Sequence, residues 1–166
     1  FYDVSDDHEK LVLRPRDWQD NATPSGAAMT ATVLFKIAAY TGERKYYKRA
    51  NASLMPMQNP MSKYPTAFGQ WLQALSFALG NPNEIAILGD PQEADTQALL
   101  AKTQQPYHPH QVVAVARPDQ DSVIPLLSGR SQIDGRATVH VCRNFVCPLP
   151  ITDSDLLRTH LMATDL

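Results

Sequence analysis

The sequence predicts a mixed α/β protein in which helical hairpins come first and a small three-stranded α/β unit follows. Residues before Gly80 space their apolar side chains as helices do, whereas later residues alternate short β-rich runs with helical ones. Between the two textures lies Gly80-Asn81-Pro82-Asn83, a run of turn formers that should interrupt any regular element. The predicted domains are therefore residues 1–80 and 81–166.

Composition agrees with this division and excludes some functions. The chain has 166 residues and a net charge of -2; residues 1–80 carry 9 basic and 7 acidic residues, and residues 81–166 carry 6 and 10. A near-neutral chain is not expected to bind nucleic acid, and no apolar run approaches the roughly 20 residues that cross a membrane. We therefore expect a soluble protein; its two cysteines do not decide the compartment, although so few fit the expected cytoplasmic location. Because the chain starts with Phe1 in a formed pattern and lacks an initiator Met, we expect a piece of a larger protein.

The first helix is predicted over residues 27–40, with Ser25 as its N-cap. Only Thr30, Thr32 and Lys36 are polar in this stretch, so the helix is apolar nearly all the way round and should be buried on most sides.

The next two helices are predicted over residues 43–54 and 66–79. The former is amphipathic and should face outward, whereas the latter is again apolar over most of its circumference. An inner, outer, inner order is typical of an α/α toroid built from helical hairpins. Three helices cannot close such a ring, and a plain helical bundle fits the same periodicity.

The second half predicts three buried strands separated by helices. The strands cover residues 84–89, 111–116 and 137–142, and the helices cover residues 93–103, 121–127 and 153–162, with Asp153 as the cap of the last. Such an order predicts a small parallel or mixed sheet covered by helices.

The polar loop from Arg14 to Gly26 is the strongest candidate for a ligand site. It delivers the chain into an apolar helix and could hold a sugar-like ligand, with an indole as a stacking face and polar groups as hydroxyl partners. The alternative is structural: Asn21 and Ser25 satisfy backbone groups at the helix start while Asp20 pairs with Arg14 or Arg16. The candidate ligand-binding residues are Asp17, Trp18, Asp20, Asn21 and Ser25.

Cys142 and Cys147 form a C-x4-C pair directly after the third predicted strand. A zinc site would need further ligands, and a redox pair is more often C-x-x-C, so the pair is a weak redox candidate. Two reduced cysteines or a local disulfide are the alternatives. His108 and His110 fit a loop better than a metal site, and no nucleotide or metalloprotease motif occurs, so neither metal nor cofactor is expected.

The order of several short motifs resembles the C-terminal end of the spermatogenesis-associated, thioredoxin-domain-containing proteins. Each motif is modest alone, and the resemblance covers essentially the whole chain. The motifs are Phe1-Tyr2, Ser5-Asp6-Asp7, Arg14-Pro15, Asp20-Asn21-Ala22, Pro24-Ser25-Gly26, Tyr64-Pro65, Gln73-Ala74-Leu75, Gly89-Asp90 and Cys142-Arg143-Asn144-Phe145-Val146-Cys147.

The resemblance implies an upstream thioredoxin-like domain and a toroid similar to N-acylglucosamine 2-epimerases and six-hairpin glycosidases. This chain would then be the non-redox C-terminal region, holding the last toroid helices and a small α/β appendage. It would bind or act on carbohydrate, or else serve as a non-catalytic interaction module that positions the thioredoxin-like domain. Its partners would be a sugar-like ligand and the upstream domains, and incomplete closure predicts self-association of the fragment.

Overall fold

A computed structural model describes residues 2–7, 9, 12–105 and 107–162; Phe1, which contributes to the family resemblance, lies outside the described residues. The chain divides into two compact units. The first comprises residues 1–38 and 43–80, and the second comprises residues 39–42 and 81–166. Whether residues 1–80 and 81–166 fold as independent domains stays a prediction.

The first unit is built from helices, whose bounds lie close to the predicted ones. Gly26–Thr41 forms α1, Arg44–Leu54 forms α2, Gln58–Lys63 forms α3 and Gly69–Leu79 forms α4. The last residues of α1, 39–41, belong to the second unit. The mixed α/β class, with helices before a small sheet, is confirmed. The arrangement of these helices as part of a toroid stays a prediction.

The helix α1 is less buried than its composition predicts. One side buries a stripe of small residues with Phe35, spaced by three or four positions as a helix face requires. Met29 and Val33, on another side of the helix, are 42% and 44% exposed. The prediction that α1 is buried on most sides is therefore wrong for this side, because apolar composition does not reveal how many neighbours a helix has.

The short helix α3 was not predicted. A 3-10 turn at Met55–Met57 links it to α2, and Pro56 lies in this turn, where the backbone need not donate a hydrogen bond. Met57 and Met61 are 5% and 3% exposed, and their spacing of four residues is the signal that sequence reasoning overlooked. A second 3-10 turn, Pro65–Ala67, delays the start of α4 to Gly69.

The second unit contains a mixed three-stranded sheet with the order β2-β1-β3. Asn83–Leu88 forms β1, Gln111–Ala116 forms β2 and Thr138–Cys142 forms β3. The strand β1 pairs in parallel with β2 and antiparallel with β3, and helices α5, Ala94–Gln104, and α6, Ser154–Met162, complete the unit. Instead of the predicted helix over residues 121–127, a single 3-10 turn covers Pro125–Leu127.

The two faces of the sheet differ in chemistry. One face carries the apolar core, which joins the strands to α5 and α6 through Ile85, Ile87, Leu99, Val139, Val141, Leu157 and Leu161. Side chains alternate along a strand, so Glu84 and its cross-strand partner Cys142 lie on the opposite face, together with His140. That face places ionisable groups and a cysteine beside a buried strand.

Two neighbouring leucines of α6 test the placement of the core. Leu157 is fully buried and Leu156 is 64% exposed. We expect Leu157→Ala to lower the free energy of unfolding by roughly 2–5 kcal/mol, because it leaves a cavity in the core. Leu156→Ala, the matched control, should change it by less than about 0.5 kcal/mol. Urea unfolding followed by far-ultraviolet circular dichroism measures both, and equal effects would contradict the assignment of the buried face.

Candidate functional site

Asp20 ties together the starts of two helices in the first unit. Its Oδ1 accepts a hydrogen bond from the backbone N–H of Ser25 at 2.8 Å, and its Oδ2 accepts one from the backbone N–H of Gln70 at 2.8 Å. Its own N–H donates to the carbonyl of Ala67 at 2.9 Å. Both oxygens therefore satisfy backbone donors that the first turns of α1 and α4 leave without helical partners.

Ser25 caps α1, as the sequence predicts. Its Oγ accepts a hydrogen bond from the backbone N–H of Ala28 at 3.3 Å, the contact expected of an N-cap serine. The residue is only 5% exposed. The Ser25 side chain therefore acts as the N-cap of α1.

The main chain of Trp18 anchors the loop to α4. Its carbonyl accepts a hydrogen bond from Nε1 of the fully buried Trp71 at 2.8 Å. The indole ring is 37% exposed, and the guanidinium carbon of Arg16 lies 3.8 Å from its centroid. This cation–π contact occupies one face of the ring that was predicted to stack on a sugar.

The two arginines of the loop contact aromatic rings. The guanidinium carbon of Arg14 lies 4.3 Å from the Tyr2 ring centroid, and its Nη2 donates to the carbonyl of Val4 at 2.9 Å. Sequence reasoning offered Arg14 and Arg16 as ion-pair partners of Asp20. The structure instead gives both oxygens of Asp20 backbone donors.

A polar cleft of about 370 Å³ lies beside the first turn of α1. Three of the predicted ligand-binding residues line it, namely Asp17, Asn21 and Ser25, and Gln19 and Asp3 line it as well. Trp18 and Asp20 make the contacts described above instead. The cleft therefore brings together two carboxylates and two carboxamides within one unit.

Asp3 is the lining residue that sequence reasoning missed. Its Oδ2 accepts a hydrogen bond from the backbone N–H of Asp17 at 2.7 Å. A Cβ placed on Gly26 would lie 2.7 Å from Oδ1 of Asp3, so the glycine allows the carboxylate to approach the start of α1. The glycine directly after the cap residue was the available signal, since a close approach requires the missing side chain.

A second group of polar side chains lies on the polar face of the sheet in the second unit. Glu84 is 5% exposed, and its Oε2 accepts a hydrogen bond from the backbone N–H of Phe145 at 2.7 Å. Burial raises the pKa of Glu84 above its ordinary value, although the N–H groups of Phe145 and Asn144 oppose the shift. Burial also lowers the pKa of His140.

The turn that donates a hydrogen bond to Glu84 is a tight hairpin. Arg143 and Val146 exchange both backbone hydrogen bonds at 3.0 Å, and the two residues between them, Asn144 and Phe145, have φ angles of 50° and 62°. Positive φ at both central positions is typical of a type I′ turn. Their N–H groups are thereby aimed at the carboxylate of Glu84.

The two cysteines flank this hairpin and are joined by a disulfide. Arg130 contacts both sulfurs: its Nη2 lies 3.3 Å from Sγ of Cys142 and 3.1 Å from Sγ of Cys147. Burial lowers the pKa of Arg130, and the charge of Glu84 opposes this shift. Of the alternatives that the sequence left open, the structure shows a local disulfide.

Two general features of the described residues bear on function. No group of three or more His, Cys, Asp or Glu side chains is arranged to hold a metal ion in that part of the chain. Within the same residues, every helix is too short or too polar to cross a membrane.

The fold and the two clusters define a class: a mixed α/β chain whose helical unit carries a polar cleft and whose sheet unit carries a hairpin flanked by a disulfide. Spermatogenesis-associated protein 20 of mouse and of rat are each 34% identical to the chain over 152 residues, and the human protein is 33% identical. Each match covers 89% of this chain but 19% of the relative, so the chain spans about a fifth of their length. These similarities support the family indicated by the sequence motifs.

Two further comparisons gave no match. No family model matches the chain. No solved structure matches it either.

The role of Asp20 can be tested by its effect on stability. We expect Asp20→Ala to lower the free energy of unfolding by about 1–3 kcal/mol, because two helix starts lose an acceptor. Asp17→Ala is the matched control, since the Asp17 side chain is exposed, and it should change stability by less than about 0.5 kcal/mol. Urea unfolding followed by tryptophan fluorescence reports on this unit, which contains Trp18 and Trp71. A larger effect from Asp17→Ala would contradict the assignment.

The buried Glu84 predicts a pH dependence of stability. Because burial raises its pKa above 4.5 in the folded state, the protonated carboxyl stabilises the fold fully below that value. This contribution is lost as the pH rises through the folded-state pKa. Glu84→Gln cannot ionise but keeps an acceptor oxygen. The free energy of unfolding of the native chain minus that of the variant should therefore fall as the pH rises above about 4.5.

Asp153 is a control for this experiment, because its contribution to stability changes with pH in the opposite direction. Its Oδ1 accepts backbone hydrogen bonds from Asp155 and Leu156, and these N–H groups, that of Leu156 first, lower its pKa below 3.8. The stability it contributes is present above 3.8 and is lost as the pH falls through the folded-state pKa. A difference for Glu84→Gln that is flat, or that rises with pH, would contradict the role of burial.

Proposed function

We propose that this chain is the C-terminal part of a carbohydrate-binding helical toroid and that the cleft beside α1 binds a sugar-like ligand. The observation that carries the proposal is the cleft itself, about 370 Å³ in volume and lined by Asp3, Asp17, Gln19 and Asn21. Ligand sites in proteins occupy a similar range of volumes and fix orientation with a few polar groups.

The donor and acceptor groups of the cleft suit hydroxyl groups. A sugar hydroxyl both donates and accepts a hydrogen bond, a carboxylate accepts, and a carboxamide does both. Asp3 uses one oxygen for the N–H of Asp17, so its other oxygen and the carboxylate of Asp17 supply acceptors at the cleft. Tyr2 also lines the cleft. This combination favours a neutral, hydroxyl-rich ligand over an anion, because the carboxylates would repel a second negative charge.

The proposal extends to the parent protein. There an upstream thioredoxin-like domain would precede the remaining toroid helices, and the protein would reside in the cytoplasm. The alternative role as a non-catalytic interaction module, and the self-association of the fragment, stay predictions.

Calorimetric titration with a panel of mono- and disaccharides tests the cleft. We expect at least one sugar to bind with a dissociation constant on the order of 1 mM, which is about -4 kcal/mol. Asp17→Asn and Asn21→Ala should each weaken that binding about tenfold, because the first replaces a charged acceptor with a weaker neutral one and the second removes a hydrogen-bonding side chain. Asp119→Asn, an exposed change in the other unit, is the control and should leave the affinity unchanged.

Two outcomes would overturn the proposal. One is a panel in which no sugar binds to the correctly folded chain. The other is binding that Asp17→Asn and Asn21→Ala leave as strong as in the native sequence.

A further inference from the structure

We propose that the Cys142–Cys147 disulfide is a redox-active site that exchanges with dithiols, and that Arg130 stabilises the thiolate released when it opens. This inference concerns the second unit and is independent of the sugar-binding proposal. It starts from the contact of one guanidinium with both sulfurs.

The environment of Arg130 suits the reduced state better than the oxidised one. Its Nη1 donates to the carbonyl of Ser128 at 3.3 Å, and its Nη2 is directed at the two sulfurs. Its Nε is buried and has no hydrogen-bond partner among the residues that the structure describes. A disulfide sulfur is a weak acceptor, whereas a thiolate is a full negative charge. Opening the disulfide therefore gives this partly buried cation a counter-charge at its Nη2, in addition to the charge of Glu84.

The exposure of the two cysteine residues assigns their roles. Cys142 belongs to β3 and is fully buried, whereas Cys147 follows the hairpin and is half-buried. An external thiolate can reach Cys147 more easily, so Cys147 is the sulfur attacked and Cys142 is the leaving group. The Nη2 of Arg130 lies 3.3 Å from that leaving sulfur. A leaving thiolate of lower pKa departs faster.

The exchange balances as follows. The thiolate of an external dithiol forms a bond to Sγ of Cys147, and the bond between the two protein sulfurs breaks, with its electron pair passing to Sγ of Cys142. The second thiol of the reductant loses its proton and attacks the reductant's first sulfur, which is bonded to Sγ of Cys147 in the mixed disulfide. This step releases Cys147 as a thiolate. The protein disulfide gains two electrons, and two protons when both thiolates protonate. The dithiol loses the same number and becomes a disulfide.

Two other ionisable groups face the pair. Glu84 is the cross-strand partner of Cys142, and its charge acts on Arg130, so an ionised Glu84 competes with the thiolate for the guanidinium. His140 lies two residues before Cys142 on the same face, and burial lowers its pKa. A neutral imidazole adds no positive charge at neutral pH, so Arg130 is the cation that stabilises the thiolate.

The full 166-residue chain can be tested with dithiothreitol as the dithiol. The reduction rate is followed by maleimide labelling and mass measurement, and the thiolate pKa of the reduced chain is taken from the pH dependence of alkylation by iodoacetamide. We expect one cysteine to titrate at least about one unit below the ordinary value of roughly 8.5. Arg130→Gln should return that pKa towards the ordinary value and slow reduction at neutral pH by about tenfold or more.

A matched control and a second variant complete the experiment. Arg143 directly follows Cys142, but its Nε donates to Oδ1 of Asn83 at 3.0 Å, so Arg143→Gln should leave the thiolate pKa and the rate within about twofold. Glu84→Gln should lower the thiolate pKa further, because it removes the competing carboxylate. If Arg130→Gln does not fold, the proposal is tested by the thiolate pKa of the native chain and by the further lowering of that pKa in Glu84→Gln.

Three results would overturn the proposal. The reduced native chain could lose its circular dichroism spectrum, which would make the disulfide purely structural. Both cysteines could titrate at or above the ordinary value. A folded Arg130→Gln variant could show the same thiolate pKa and the same reduction rate as the native chain.

Discussion

The second unit depends on one constraint, the burial of a carboxylate in the central strand of its sheet. All six residues of β1 are buried, so the chain cannot hydrate Glu84 and must give it protein partners. Taking an ionised carboxyl out of water costs several kcal/mol unless hydrogen bonds compensate. The hairpin after β3 supplies them, because positive φ angles at Asn144 and Phe145 aim two N–H groups at this carboxylate.

The hairpin contains Phe145 at a position of positive φ, where glycine is usual. Positive φ is unfavourable for a bulky residue, so the conformation of Phe145 needs support from its surroundings. The disulfide joins Cys142 and Cys147, which flank the turn, and the Phe145 ring packs against Gly42. A Cβ on Gly42 would lie 3.1 Å from this ring, so the glycine makes room for it at the end of α1. Strain at the turn is thus offset by packing and by the covalent link.

Most of the fold could be predicted from the sequence, because apolar periodicity and turn formers are local signals. The bounds of β2 agree with the prediction, and Ser25 caps α1 as expected. Contacts between distant residues could not be predicted in the same way. Nothing local connects Asp20 to Gln70, which is 50 residues away, or Arg130 to Cys147. The short helix α3 was missed because proline at Pro56 and Pro60 obscured the spacing of Met57 and Met61.

The candidate site shows the same limit in a more specific form. A carboxylate met in a sequence has two possible uses, since it can bind a ligand or satisfy backbone N–H groups, and composition does not distinguish them. Asp20 and Glu84 both take the second use, each through N–H groups of a segment remote in sequence. Both oxygens of Asp20 are committed, so the acceptors at the cleft beside α1 for an external hydroxyl group are the carboxylate of Asp17 and the remaining oxygen of Asp3. Because Asp20 has a structural role, the proposed ligand site is confined to the cleft beside α1.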